Sequence, residues 1–68
     1  MSLSARNRLS GTVHGVDTDG LMAEVGIELD GGQTITAVIT AGSVDRLGIE
    51  EGADLNAVVK ATEVMVEN

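Results

Sequence analysis

Between residues 21 and 29 the side chains alternate without a break. Leu21, Ala23, Val25, Ile27 and Leu29 fall on one side, and Met22, Glu24, Gly26 and Glu28 on the other. A period of two fits an extended strand with one face on a core and the other in water. Asp30-Gly31-Gly32 then supplies a tight turn, and Gln33 to Thr40 returns with Ile35, Ala37 and Ile39 opposed to Thr34, Thr36 and Val38. That is the pattern of an antiparallel hairpin.

The rest of the chain is built around this pair. Leu9 to Val16 predicts an earlier strand, with Leu9, Gly11, Val13 and Gly15 facing one way and Ser10, Thr12, His14 and Val16 the other; Asp17-Thr18-Asp19-Gly20 closes it with a turn. Between Thr40 and Gly48 the period changes. Thr40 or Ser43 can cap a helix start, Val44 and Leu47 lie three apart, and Gly48 suits a left-handed helix end, so one or two helical turns are expected. Ile49-Glu50-Glu51-Gly52 is the next turn, Asp54 to Lys60 a fourth strand and Thr62 to Val66 a short fifth. Nine Val, four Ile and six Thr agree with strands, because β-branched side chains suit a pleated surface. The expected fold is all-β: a five-stranded OB-like barrel with one short helix between strands 3 and 4. Residues 1–68 read as a single domain, with 1–8 a polar segment that is either a loose tail or an arm packed on a neighbour.

Such a barrel has a thin core. The chain has no Phe, Tyr, Trp or Cys, and a domain near this size buries only roughly 60% of the surface its unfolded chain exposes. Small domains usually need a disulfide, a metal or a partner chain. Zero Cys removes the first, and His14 is the only imidazole, with no cluster at ligand spacing, so cation ligands are expected to be none. Association of identical chains remains.

Charge narrows the partners. Eleven acidic residues against four basic ones give net charge -7, which repels nucleic acid and anionic membranes; an OB-type nucleic-acid groove also needs stacking aromatics that are absent here. The excess acid also fits solubility or adaptation to high salt. No apolar run approaches the roughly 20 residues that span a bilayer, and the N-terminus lacks a signal-peptide core, so a cytoplasmic location is expected. An enzyme is not expected, since no nucleophile stands beside a base and His14 has no partner set. A small inorganic anion is compatible with the charge, because one pocket can be locally positive. The cations Arg6, Arg8, Arg46 and Lys60 are the ones to follow.

Four blocks carry a family resemblance. Residues 4–13 (Ser4-Ala5-Arg6-Asn7-Arg8-Leu9-Ser10-Gly11-Thr12-Val13), 35–43, 47–52 and 57–65 resemble, in order and spacing, the Mop or molybdate-binding TOBE domain. The likeness extends over nearly the whole chain, and a lone Mop domain is similar to the molbindins. That resemblance implies an OB-like fold, a homo-oligomer built as a hexamer (a trimer of dimers), and molybdate or tungstate bound at subunit boundaries. In related proteins the domain is fused to a DNA-binding regulator or a transporter ATPase; none is encoded here, which favours storage or buffering over sensing.

Molybdate is a tetrahedral dianion that only accepts hydrogen bonds, so its pocket must present donors and positive charge. By resemblance, Ser4 and Arg6 carry over from the first block, Thr40 and Ser43 from the block before the helix, and Lys60 with Ala61 from the end of the fourth strand. Asn7 either reaches a second anion site or orders the arm. Some relatives have a hydroxyl residue where Ala61 stands, so only a backbone contact is expected there. Plain structural roles compete: Arg6 as a solvated charge, Lys60 as protection for a strand edge, Thr40 and Ser43 as helix caps. Arg8 and Arg46 are expected to pair with carboxylates, and His14 to be a polar-face strand residue. The competing function is a ligand-free structural or interaction module of OB type.

Overall fold

The computed structural model describes residues 6–68. In chain order they form β1 (Asn7–Asp19), β2 (Met22–Leu29), β3 (Thr34–Thr40), α1 (Ala41–Leu47), β4 (Asp54–Val59) and a 3-10 turn at Ala61–Glu63. The strands make one antiparallel sheet of order β3-β2-β1-β4. β1 is its spine: residues 7–12 pair with β4 and residues 11–19 with β2.

Local chemistry sets the connections. Asp19 pairs with Met22, leaving Gly20-Leu21 as a two-residue loop. Gly20 has φ 62, and a glycine at positive φ in the first loop position matches the twist of a two-residue hairpin. The turn is therefore shorter than expected. Asp17 to Asp19 belong to the strand, and Leu21, expected on the core face, sits in the loop at 86% exposure. α1 matches its expected bounds: the Thr40 side chain caps its start, and Gly48 ends it in the left-handed region at φ 64, ψ 36.

β1 is longer than the expected Leu9 to Val16 and is not straight. Thirteen residues in a straight strand would run about 40 Å, yet the molecule's longest extent is 33 Å. The bend lies at a bulge. Val13 pairs with Ile27 and Gly15 with Gly26, leaving His14 as an extra residue. A bulge of this kind bends its strand and shifts the alternation by one. Gly11 and Val13 face the core before it, and Val16, opposite Val25, faces the core after it. This corrects the strict alternation that put Val16 beside His14 on the polar side. Val13 also bonds to the segment entering β4: its N–H donates to the Ala53 carbonyl at 2.9 Å, and its carbonyl accepts from Gly52 N–H at 2.8 Å.

The core is as thin as the composition implies. Among the described residues its buried apolar members are Val13, Ala23, Val25 and Ile27, flanked by half-buried residues of β3, β4 and α1. Among the described residues the sheet curls without a fifth strand to close it, and four strands stand in place of the expected five. β4 stops at Val59, and Glu63 N–H donates to the Lys60 carbonyl at 2.8 Å. That turn takes the chain out of the ladder. Val64, Met65 and Val66 are left 52%, 93% and 92% exposed, where the fifth strand was expected. Between the inner sides of β3 and β4 lies an apolar cleft of about 510 Å³, lined by Ile35, Ile39, Leu47, Ile49, Leu55 and Val59 among others.

Candidate functional site

The expected site residues divide into two groups. The first lies where β1 begins and β4 ends. Asn7 pairs with Val59 and is half-buried, and its Nδ2 donates to the Val59 carbonyl at 3.2 Å. Arg6 and Lys60 each lie one residue beyond that pair, so the register brings two exposed cations to the same end of the ladder. Like charges gathered at one end of a ladder repel. Ala61 starts the 3-10 turn beside Lys60; its methyl can offer nothing polar, leaving the backbone as its means of contact. Asn7 and Arg8 are strand residues rather than part of an arm, and Ser4 lies outside the described residues.

The second group lies where β3 meets α1. Ser43 N–H donates to Thr40 Oγ1 at 3.1 Å, which is the helix cap. The two hydroxyl oxygens are 2.7 Å apart, one donating to the other. Arg46 Nη2 donates to Ser43 Oγ at 3.1 Å. Arg46 was expected to pair with a carboxylate, but it turns back along the helix; the spacing Ser43 to Arg46, three residues on one helix face, is the signal that finds it. The guanidinium lies close over Gly42, where an added Cβ would stand 3.2 Å from Arg46 Nη1.

Within one chain these groups stay apart. Thr40 pairs with Met22, and Met22 with Asp19, so the Thr40–Ser43–Arg46 cluster belongs to the far end of β1 from Asn7. Two polar hollows elsewhere are of the wrong sign for an anion. One is lined by Asp30 and Asp54 with Ser10, Thr12 and Asn56. The other, on the outer face, is lined by Asp17 and Glu24 with His14. Among the described residues no group of three or more His, Cys, Asp or Glu could hold a metal ion, and no helix is long and apolar enough to cross a membrane.

A curled antiparallel sheet with one helix defines an all-β domain of OB-like form. Residues 3–66 match the TOBE domain model, and the chain belongs to the TOBE domain family, among its Mop members. It is 52% identical over 66 residues to molybdenum-pterin-binding protein 2 of Clostridium pasteurianum, covering 97% of each chain. It superposes on a molybdate-binding protein from Sporomusa ovata with TM-score 0.94 and 35% identity, covering 100% of both. It also matches the cytoplasmic molybdate-binding protein ModG, with molybdate bound, at TM-score 0.86 and 46% identity over 90% of this chain and 43% of that one. These names describe binding proteins rather than enzymes.

Proposed function

We propose that this protein binds molybdate or tungstate in cages shared between subunits of a homo-oligomer, a hexamer assembled as a trimer of dimers, and stores or buffers the anion in the cytoplasm. The observation that carries this is the division of the donors. Arg6, Asn7, Lys60 and Ala61 stand at one end of β1 and Thr40 with Ser43 at the other. Neither group encloses a tetrahedral dianion by itself, whereas ends contributed by different copies can surround one, with Ser4 added from the preceding segment. Every side chain in these groups except the Ala61 methyl can donate, and none is a carboxylate, as an acceptor-only ligand requires.

The sheet supports assembly too. Among the described residues no strand lies beyond β3 or β4, an apolar cleft lies between these two edge strands, and the Val64-Met65-Val66 segment is exposed. An open edge and an exposed apolar segment of the same molecule can satisfy one another across a two-fold interface. Relatives that are named for molybdenum-pterin or molybdate agree with the ligand, and the cytoplasmic ModG with the location. Catalysis, nucleic acid, membrane and resident metal cations have no part in this reading. Domain 1–68 acts as one unit.

Equilibrium dialysis with molybdate, tungstate and sulfate, together with the mass of the oligomer in solution, tests it. Saturable uptake of the metal oxyanions at micromolar concentration is expected, with Arg6→Ala and Lys60→Ala each weakening it by more than about 1.5 kcal/mol, the low end for a charge-assisted bond. No uptake by the wild type would leave the ligand-free interaction module; wild-type affinity in either variant would remove that residue from the site.

A further inference from the structure

We propose that Arg46, acting through Ser43, sets the charge preference of the anion site, favouring a tetrahedral dianion over a monoanion of the same shape. This rests on the assignment of Thr40 and Ser43 to that site. Arg46 is then a positioning and charge-selecting residue that neither the family resemblance nor the relatives' names assign.

The hydrogen bonds of the cluster fix which protons and lone pairs are in use. A guanidinium only donates, so the 3.1 Å contact makes Ser43 Oγ the acceptor from Arg46 Nη2. Thr40 Oγ1 accepts from Ser43 N–H. The 2.7 Å contact between the two hydroxyl oxygens uses one of their two protons. Of four lone pairs three are occupied, and one proton is left over. Whichever oxygen keeps that proton already accepts two bonds: Ser43 Oγ from Arg46 and Thr40, or Thr40 Oγ1 from the Ser43 amide and hydroxyl. The free hydroxyl can therefore only donate, whichever way the shared proton points. The pair thus turns one donor outward and keeps a single lone pair open, on the other oxygen, which suits an acceptor-only oxyanion of either charge. Removing Arg46 opens a second lone pair and takes away the positive charge hydrogen-bonded to Ser43, and it is this charge that attracts a dianion more strongly than a monoanion.

A Cβ at Gly42 would stand 3.2 Å from Arg46 Nη1, so a side chain there would displace the guanidinium by a few tenths of an ångström. The guanidinium of Arg46 is directed to the hydroxyl pair, with Nη2 donating to Ser43 Oγ at 3.1 Å. Arg46 is exposed, so its effect acts through solvent-screened charge and should shrink as salt rises.

The test uses the full chain, wild type against Arg46→Met and Arg46→Lys, titrated calorimetrically with molybdate and with perrhenate, a tetrahedral monoanion, at low and high salt. Melting temperature and oligomer mass are recorded alongside. Arg46→Met is expected to weaken molybdate by about tenfold, the effect of losing a charge-assisted bond. Perrhenate should weaken less, so the molybdate-to-perrhenate ratio falls, and the difference narrows at high salt. Arg46→Lys should restore much of the ratio. If Arg46→Met keeps wild-type molybdate affinity, or lowers both anions equally together with the melting temperature, Arg46 does not select charge. If the wild type takes up no anion, the site itself is wrong and this role falls with it.

Discussion

Replacing two glycines on opposite faces of the sheet tests the packing argument directly. A Cβ at Gly11 would lie 2.6 Å from Ile27 Cγ2 and 2.7 Å from the Glu28 carbonyl oxygen. Carbon atoms are comfortable at about 3.5–4.0 Å, so the overlap with the Ile27 methyl is on the order of 1 Å. Neither neighbour can yield cheaply: Ile27 is only 3% exposed, and the Glu28 backbone is held in register opposite Thr12. Overpacking of this kind costs about 1–3 kcal/mol, offset in part by about 0.4–1 kcal/mol from the stiffer unfolded chain. Gly11→Ala should thus lose about 1–2 kcal/mol, or on the order of 4–16 °C in melting temperature for a domain this small. At Gly26 the near neighbour is different. The added Cβ would meet only the His14 imidazole, at 2.6 Å from Nε2, and that ring is exposed and can swing into water. Gly26→Ala should stay within about 0.5 kcal/mol of the wild type. Urea unfolding followed by far-ultraviolet circular dichroism, at one fixed protein concentration because association contributes by mass action, reads both. Equal costs at the two positions, or a neutral Gly11→Ala, would refute the argument.

Thr40→Val removes the hydroxyl that accepts from Ser43 N–H and should cost about 0.5–2 kcal/mol of stability, along with weaker anion uptake; Thr40→Ser keeps the oxygen and should restore both in the same denaturation and dialysis measurements. Asp17 and Glu24 are paired across β1 and β2 on the exposed face, so Glu24→Gln should raise stability by a few tenths of a kcal/mol at low salt, a gain that disappears in high-salt denaturation curves.

Much of the architecture was legible in residue order. The β2–β3 hairpin could be read from uninterrupted alternation and from Asp30-Gly31-Gly32, and α1 from Thr40 and Gly48 at its two ends, because those signals are local. β1 was harder: its phase changes at His14, and a rule of fixed period cannot mark an extra residue whose existence depends on the partner strand. The fifth strand failed for a related reason. Val64 and Val66 alternate correctly, but pairing requires a neighbour, and the turn at Lys60–Glu63 removes the segment from its own sheet. At the site, the family blocks pointed to Arg6, Thr40, Ser43 and Lys60. Arg46 is less legible, because a lone cation in an acidic chain suggests carboxylate partners, whereas its three-residue offset from Ser43 is the stronger physical cue.

The bulge at His14 also separates what the chain connects from how it curves. Taking that residue out would leave Val13 opposite Ile27, Gly15 opposite Gly26 and Val16 opposite Val25, every rung with its present partner. What such a deletion would flatten is the arc of the central strand. Position 14 thus stores shape rather than topology, and a shorter version of this strand could keep all its neighbours while losing the concave side on which the apolar cleft is built.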